Sequence, residues 1–139
     1  SALSHLARLD KPAMTYDFLR CADLKSRAIK LESAVILLPL IVNLLPSSVE
    51  AYHLVAVKAL LALFNDFHGF VKETRHAAAY AAARGAGVNI SMEERLERCN
   101  AAHAQFDKAR PTVLQLSRKP GRTGQVAREL KEAFEAYFE

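Results

Sequence analysis

Apolar side chains recur at three- and four-residue intervals along nearly the whole chain, and no stretch alternates with the period of two that a strand requires. Leu3, Leu6 and Leu9 space a short opening helix, which Asp10-Lys11-Pro12 breaks. Pro12 then sits just inside a second helix, where its fixed φ suits the first turn, and that helix reaches about Lys25. A third helix, from about Leu31 to Leu45, is apolar all round, so neighbours must cover most of its sides. Pro39 inside it removes an N–H and clashes with the preceding turn, which predicts a kink or a break into two pieces.

The stretch Pro46-Ser47-Ser48-Val49-Glu50 has the spacing of a capping box, with Ser47 accepting from the Glu50 N–H. A long helix follows to about Ala83, and Tyr52, Ala56, Leu60, Leu63, Phe67 and Phe70 form a seam along it. Leu54, Val57, Leu61 and Phe64 widen that seam, which makes this helix the central pillar. Arg84-Gly85-Ala86-Gly87 closes it, glycine being able to end a helix at positive φ. Ser91 to Glu94 reads as a second capping box, opening a helix with Leu96, Cys99, His103 and Phe106 on one face. Pro111 disfavours helical geometry at Arg110 and predicts a kink or break there. Pro120 to Gly124 reads as a loop, and a last helix from about Gln125 to Phe138 carries Val126, Leu130, Phe134 and Tyr137. The pattern predicts an all-α bundle of about five to six helices around one long central helix, one domain over residues 1–139.

Composition agrees with a folded core: 51% of the 139 residues are hydrophobic and 24% charged, which excludes a disordered chain. The two cysteines, Cys21 and Cys99, have no disulfide or metal spacing and are expected to be small buried hydrophobes of a reduced, intracellular protein. The apolar run from Ala34 to Leu45 is about a dozen residues, short of the roughly twenty a bilayer needs. No signal peptide and no initiator methionine open the sequence, and the expectation is a domain cut from a longer protein. The net charge of +4 is concentrated: between Lys108 and Arg128 lie six basic residues and no acidic one. Such a stripe attracts acidic partners at low salt, or serves only to keep a surface solvated.

Chemistry is sparse. The histidines His5, His53, His68, His76 and His103 include no His-x-x-x-His pair, the spacing that would converge two ligands on a helix. Gly85-x-Gly87 is too short for a phosphate loop and follows a helix, and no G-x-S-x-G elbow is present. The reading is of a protein without catalytic residues, cofactor or metal. The basic stripe lacks interleaved aromatics to stack on bases, which argues against nucleic acid, and the most apolar helices lack the cationic face a membrane surface requires.

The run Gly87-Val88-Asn89-Ile90-Ser91-Met92-Glu93-Glu94-Arg95-Leu96-Glu97-Arg98-Cys99 resembles the C-terminal helical domain of katanin regulatory subunits, where a Gly-Val-Asp-Ile-Ser-x-Glu-Glu-Arg-Leu-x-x-Cys run opens the penultimate helix. Leu38-Pro39, Leu44-Leu45 and Glu50-Ala51-Tyr52 are similar to the family's pattern at comparable spacing, so the resemblance covers nearly the whole chain. It implies a non-catalytic domain that heterodimerises with the N-terminal helical domain of a catalytic AAA ATPase. It further implies microtubule binding and severing, and recruitment by peptides of spindle-pole or minus-end proteins, in the cytoplasm and cytoskeleton. By resemblance Tyr52 belongs to the peptide groove. The heterodimer candidates are Leu6, Leu9, Tyr16, Phe18, Phe134, Tyr137 and Phe138, each of which has ordinary core as its competing reading. Arg118, Lys119, Arg122 and Arg128 are the microtubule candidates, against plain solubilising charge. The sequence departs from the family in the alanine-rich extension from His76 to Ala83 and in Pro111. A self-associating bundle, or a basic module that binds acidic polymers such as nucleic acid, is the alternative.

Overall fold

The computed structural model describes residues 4, 11–22, 29–85, 87 and 89–139, so the opening helix expected around Leu3, Leu6 and Leu9 lies outside the described residues. Five helices follow in order: α1 (Pro12–Cys21), α2 (Leu31–Leu44), α3 (Glu50–Ala83), α4 (Ile90–Leu116) and α5 (Gly121–Tyr137), with no strand among the described residues. The long pillar expected from periodicity is α3. Its 34 residues extend about 50 Å at 1.5 Å each, and each of the other four helices packs against it. By length and composition α3 could also cross a bilayer, but in this fold its apolar first half is the innermost wall of the bundle.

Burial divides α3 in two. Ala56, Val57, Leu60, Leu63 and Phe64 are fully enclosed or nearly so, and enclosure ends at Val71. Beyond it the helix projects with α4's first turns, where Tyr80, Ile90 and Met92 are exposed. Phe64 is the centre of the core. Its ring meets Phe106, Phe134 and Tyr137 edge-on at centroid distances of 5.0, 4.9 and 5.3 Å, and His68 stacks on it at 4.8 Å. Edge-to-face packing of this kind adds to the burial itself.

Several local expectations are corrected. Neither proline breaks its helix: α2 is continuous through Pro39 and α4 through Pro111. An interior proline costs roughly 3 kcal/mol, whereas each large aliphatic buried beside it returns about 1.5–3 kcal/mol. Leu37, Leu38, Leu40 and Ile41 flank Pro39 in the core, and Ala109 and Val113 flank Pro111 at zero exposure. The first capping box does not form. Val49 is the N-cap residue of α3, and the Ser47 hydroxyl accepts from the Val49 N–H at 3.2 Å. At α4 it is Asn89, not Ser91, that caps, its side-chain oxygen accepting from the Ser91 and Met92 N–H groups at 3.0 and 3.4 Å. The expected loop after Pro120 is shorter, because α5 starts at Gly121, whose φ of 75° is the left-handed value glycine tolerates. Gly85 closes α3 at φ 69°, as the glycine pattern predicts. Cys99 is buried, but Cys21 is exposed at the end of α1, since the apolar face of that helix runs through Thr15 and Leu19 instead.

Candidate functional site

The turn between α4 and α5 carries Arg118 and Lys119 of the cationic stripe, and Lys119 joins it to the first turn of α3. Two backbone clamps shape it. The Ser117 hydroxyl donates to the Leu114 carbonyl at 2.6 Å, and Arg128 Nη1 donates to the Ser117 carbonyl at 3.0 Å and lies 3.5 Å from that of Lys119. Gly124 permits the closest approach: a Cβ there would fall 1.7 Å from the Lys119 carbonyl oxygen.

Lys119 then reaches across to α3. Its ammonium donates to both carboxylate oxygens of Glu50 at 2.9 Å and to His53 Nδ1 at 3.1 Å. These three acceptors use all three ammonium hydrogens. With Nδ1 accepting, His53 carries its proton on Nε2 and donates it to the Ser47 carbonyl. Glu50 therefore does not reach back to its own helix end. The hydrogen bond from Lys119, followed by its charge, holds the Glu50 carboxyl below its ordinary value of 4.5.

The sign of the resulting pH dependence is fixed. A depressed carboxylate pKa stabilises the folded chain fully above 4.5, and that contribution is lost as pH falls through the lower folded value. Glu50→Gln is accordingly expected to lower the denaturation midpoint at neutral pH, and the difference from the parent chain to shrink as pH is lowered progressively below 4.5, checked by urea titration across that range. Because the carboxylate is exposed, added salt shrinks the difference.

The stripe thus separates into two kinds of cation. Lys119 and Arg128, both candidates for a partner's acidic surface, are committed to the chain's own acceptors. Arg118 and Arg122 are exposed, and their guanidinium groups have no hydrogen bond or ion pair to a described residue. The sequence could show the stripe but not this division, because Glu50 and Lys119 are 69 positions apart.

An aromatic seam lies on the same half of the bundle. Tyr16 of α1 and Tyr52 of α3 meet at a centroid distance of 4.7 Å, tilted by 35°, and the Arg20 guanidinium sits 5.5 Å from the Tyr16 ring centre. Tyr16, Tyr52 and Phe18 are half-buried, with Tyr52 and Phe18 packed on the core. Arg20 belongs to this seam in a role that periodicity does not reveal, since a cation over a ring leaves no spacing signal.

The remaining interface candidates divide differently. Phe134 and Tyr137, at 3% and 7% exposure, fill the chain's own core around Phe64 and offer no surface, so as contact residues for a partner they are withdrawn. Apolar spacing on a terminal helix looks the same for a core face and for an interface. Phe138 is half-buried beneath Arg110, whose guanidinium lies 4.1 Å from its ring centre. Leu6 and Leu9 lie outside the described residues. Among the described residues, no group of three or more His, Cys, Asp or Glu side chains is placed to hold a metal ion.

Comparison with known proteins completes the description. The family model for the con80 domain of katanin matches residues 1–134. The chain is 27% identical over 131 residues to the katanin p80 WD40 repeat-containing subunit B1 of Danio rerio, covering 94% of this chain and 18% of that one. It is 29% identical over 118 residues to the Xenopus tropicalis subunit of the same name, covering 85% of this chain and 17% of that one. A third relative is the Arabidopsis thaliana katanin p80 WD40 repeat-containing subunit B1 homolog KTN80.3, 23% identical over 135 residues, with 97% of this chain and 16% of the relative covered. The chain spans less than a fifth of the length of these curated relatives.

Proposed function

The chain belongs to the con80 domain family of katanin, and from that premise we propose that it is a non-catalytic scaffold that heterodimerises with the N-terminal helical domain of a katanin AAA ATPase subunit. In this reading it supports microtubule binding and severing, and recruitment by spindle-pole or minus-end proteins, within the cytoplasm and its cytoskeleton. The observation that carries the heterodimer is the half-buried Tyr16–Tyr52 ring pair, with Phe18 of α1 also half-buried. Aromatics with one covered and one open face are the side chains that protein interfaces enrich, and a second polypeptide would complete their burial. Tyr52, at the α1–α3 junction, is the residue assigned to a recruiting peptide.

Microtubule contact falls to Arg118 and Arg122, the two of the four candidate cations whose side chains have no hydrogen bond or ion pair to a described residue. Tubulin presents an acidic surface, so their role is long-range attraction that salt weakens.

Co-expression with the ATPase subunit's N-terminal helical domain tests the reading. Co-purification at equal stoichiometry is the expected result, and failure to associate at micromolar concentration overturns it. Within such a heterodimer, Arg118→Glu with Arg122→Glu is expected to weaken microtubule cosedimentation about tenfold and to leave the heterodimer intact. Equal loss of both would show the two arginines to be structural.

A further inference from the structure

At the other end of the bundle, an open cleft of about 620 Å³ separates the far half of α3, the first half of α4 and the end of α5. We propose that this cleft is a docking site for an acidic peptide. Lys72, Arg75 and His76 line it from α3, at spacings that place all three on one helix face, and Asn100 and His103 line it from α4.

The donors in the cleft outnumber its acceptors. Lys72 donates one hydrogen to the Tyr137 carbonyl at 3.2 Å, leaving two of its three. Arg75 gives its Nε hydrogen to Asn100 Oδ1 at 2.9 Å, and its charge acts on the nearby Tyr137 hydroxyl, with guanidinium N–H groups to spare. His103 Nδ1 lies 2.8 Å from the Tyr137 hydroxyl. Burial, and then the charge of Arg75, push the His103 pKa down, which favours the neutral ring. Glu139 is the single carboxylate in the lining.

Beside the donors, Ala78, Ala79, Ala82 and Leu96 form an apolar shelf. A peptide with carboxylates and aliphatic side chains matches both parts. Nucleic acid matches only the first: Tyr137 is 7% exposed and the Phe138 face is taken by Arg110, so neither ring is open to a base. A membrane surface is excluded by the concavity, since an interfacial element needs a face that lies flat.

The test uses the 139-residue chain and a short fluorescein-labelled peptide of glutamate, alanine and leucine, with a lysine-for-glutamate peptide as control. Fluorescence anisotropy is expected to show saturable, salt-sensitive binding of the acidic peptide alone. Lys72→Gln with His76→Gln, both exposed positions, weakens it about tenfold, Lys72→Arg preserves it, and Arg118→Gln with Arg122→Gln leaves it unchanged. The proposal is overturned by no binding, by equal binding of the lysine peptide, or by loss confined to the Arg118 and Arg122 variant. Displacement by inorganic phosphate at the same concentration as the peptide would also overturn it, as a simple anion site.

Discussion

Phe64→Ala is expected to cost the folded chain about 3–5 kcal/mol, the largest single-site loss in the molecule. The side chain is 1% exposed and is shared by three helices, with Phe106 from α4 and Phe134 and Tyr137 from α5 closing on its ring edge-on. Truncation removes the apolar burial, three edge-to-face contacts and the platform on which His68 stacks, and leaves a cavity that rigid helices close only in part. Domains of this kind are stable by roughly 5–15 kcal/mol, so the variant is marginal or unfolded at physiological temperature. Urea denaturation followed by circular dichroism measures the loss, and Phe64→Leu provides a milder variant of the same series. A loss below about 1 kcal/mol for the alanine variant would show that the aromatic cluster is not the centre of the core.

Gly124→Ala is the second large effect, and its sign opposes what helix propensity alone predicts. Alanine inside a helix is ordinarily worth about 1 kcal/mol over glycine. At Gly124 the new Cβ would meet the Lys119 carbonyl oxygen at 1.7 Å and its carbon at 2.7 Å, both of them backbone atoms that no rotamer change can clear. The α4–α5 turn must move, which loosens the Arg128 clamps and the Lys119 bridge to Glu50. A net loss of about 1–3 kcal/mol is expected, along with displacement of Arg118 and Arg122. Gly69 is the control: it lies within α3 with nothing within 4 Å of an added Cβ. Gly69→Ala is therefore expected to stabilise by about 0.5–1 kcal/mol. Destabilisation of equal size at both glycines would rule out the steric account.

The contrast between these glycines shows how far the sequence is legible. Helix periodicity is a property of near neighbours, and it placed α3 from Glu50 to Ala83 and assigned the fold class. End-of-helix chemistry was less legible because it is a competition. The Ser47–Glu50 spacing fits a capping box, yet Lys119, 69 residues away, offers the Glu50 carboxylate a full charge in place of a backbone N–H. At the two prolines the local cost predicts a kink or a break, and burial of Leu37, Leu38 and Ile41 around Pro39, invisible in the local pattern, keeps that helix in one piece. Of the candidate site, the cationic stripe is readable as residue types, while Tyr52 enters only through the family resemblance. That Lys119 and Arg128 are internally satisfied while Arg118 and Arg122 are not is a fact of tertiary pairing.

The length of α3 also acts as a ruler. Glu50 at one terminus and Lys72 and Arg75 further along are separated by about 33 Å or more of rigid cylinder at 1.5 Å per residue. Ionic screening in cells decays over about 8 Å, so the Glu50 end of α3 and its Lys72–Arg75 segment do not sense each other's charge. The two proposed contacts are therefore expected to add without coupling, like separate ports on one rod.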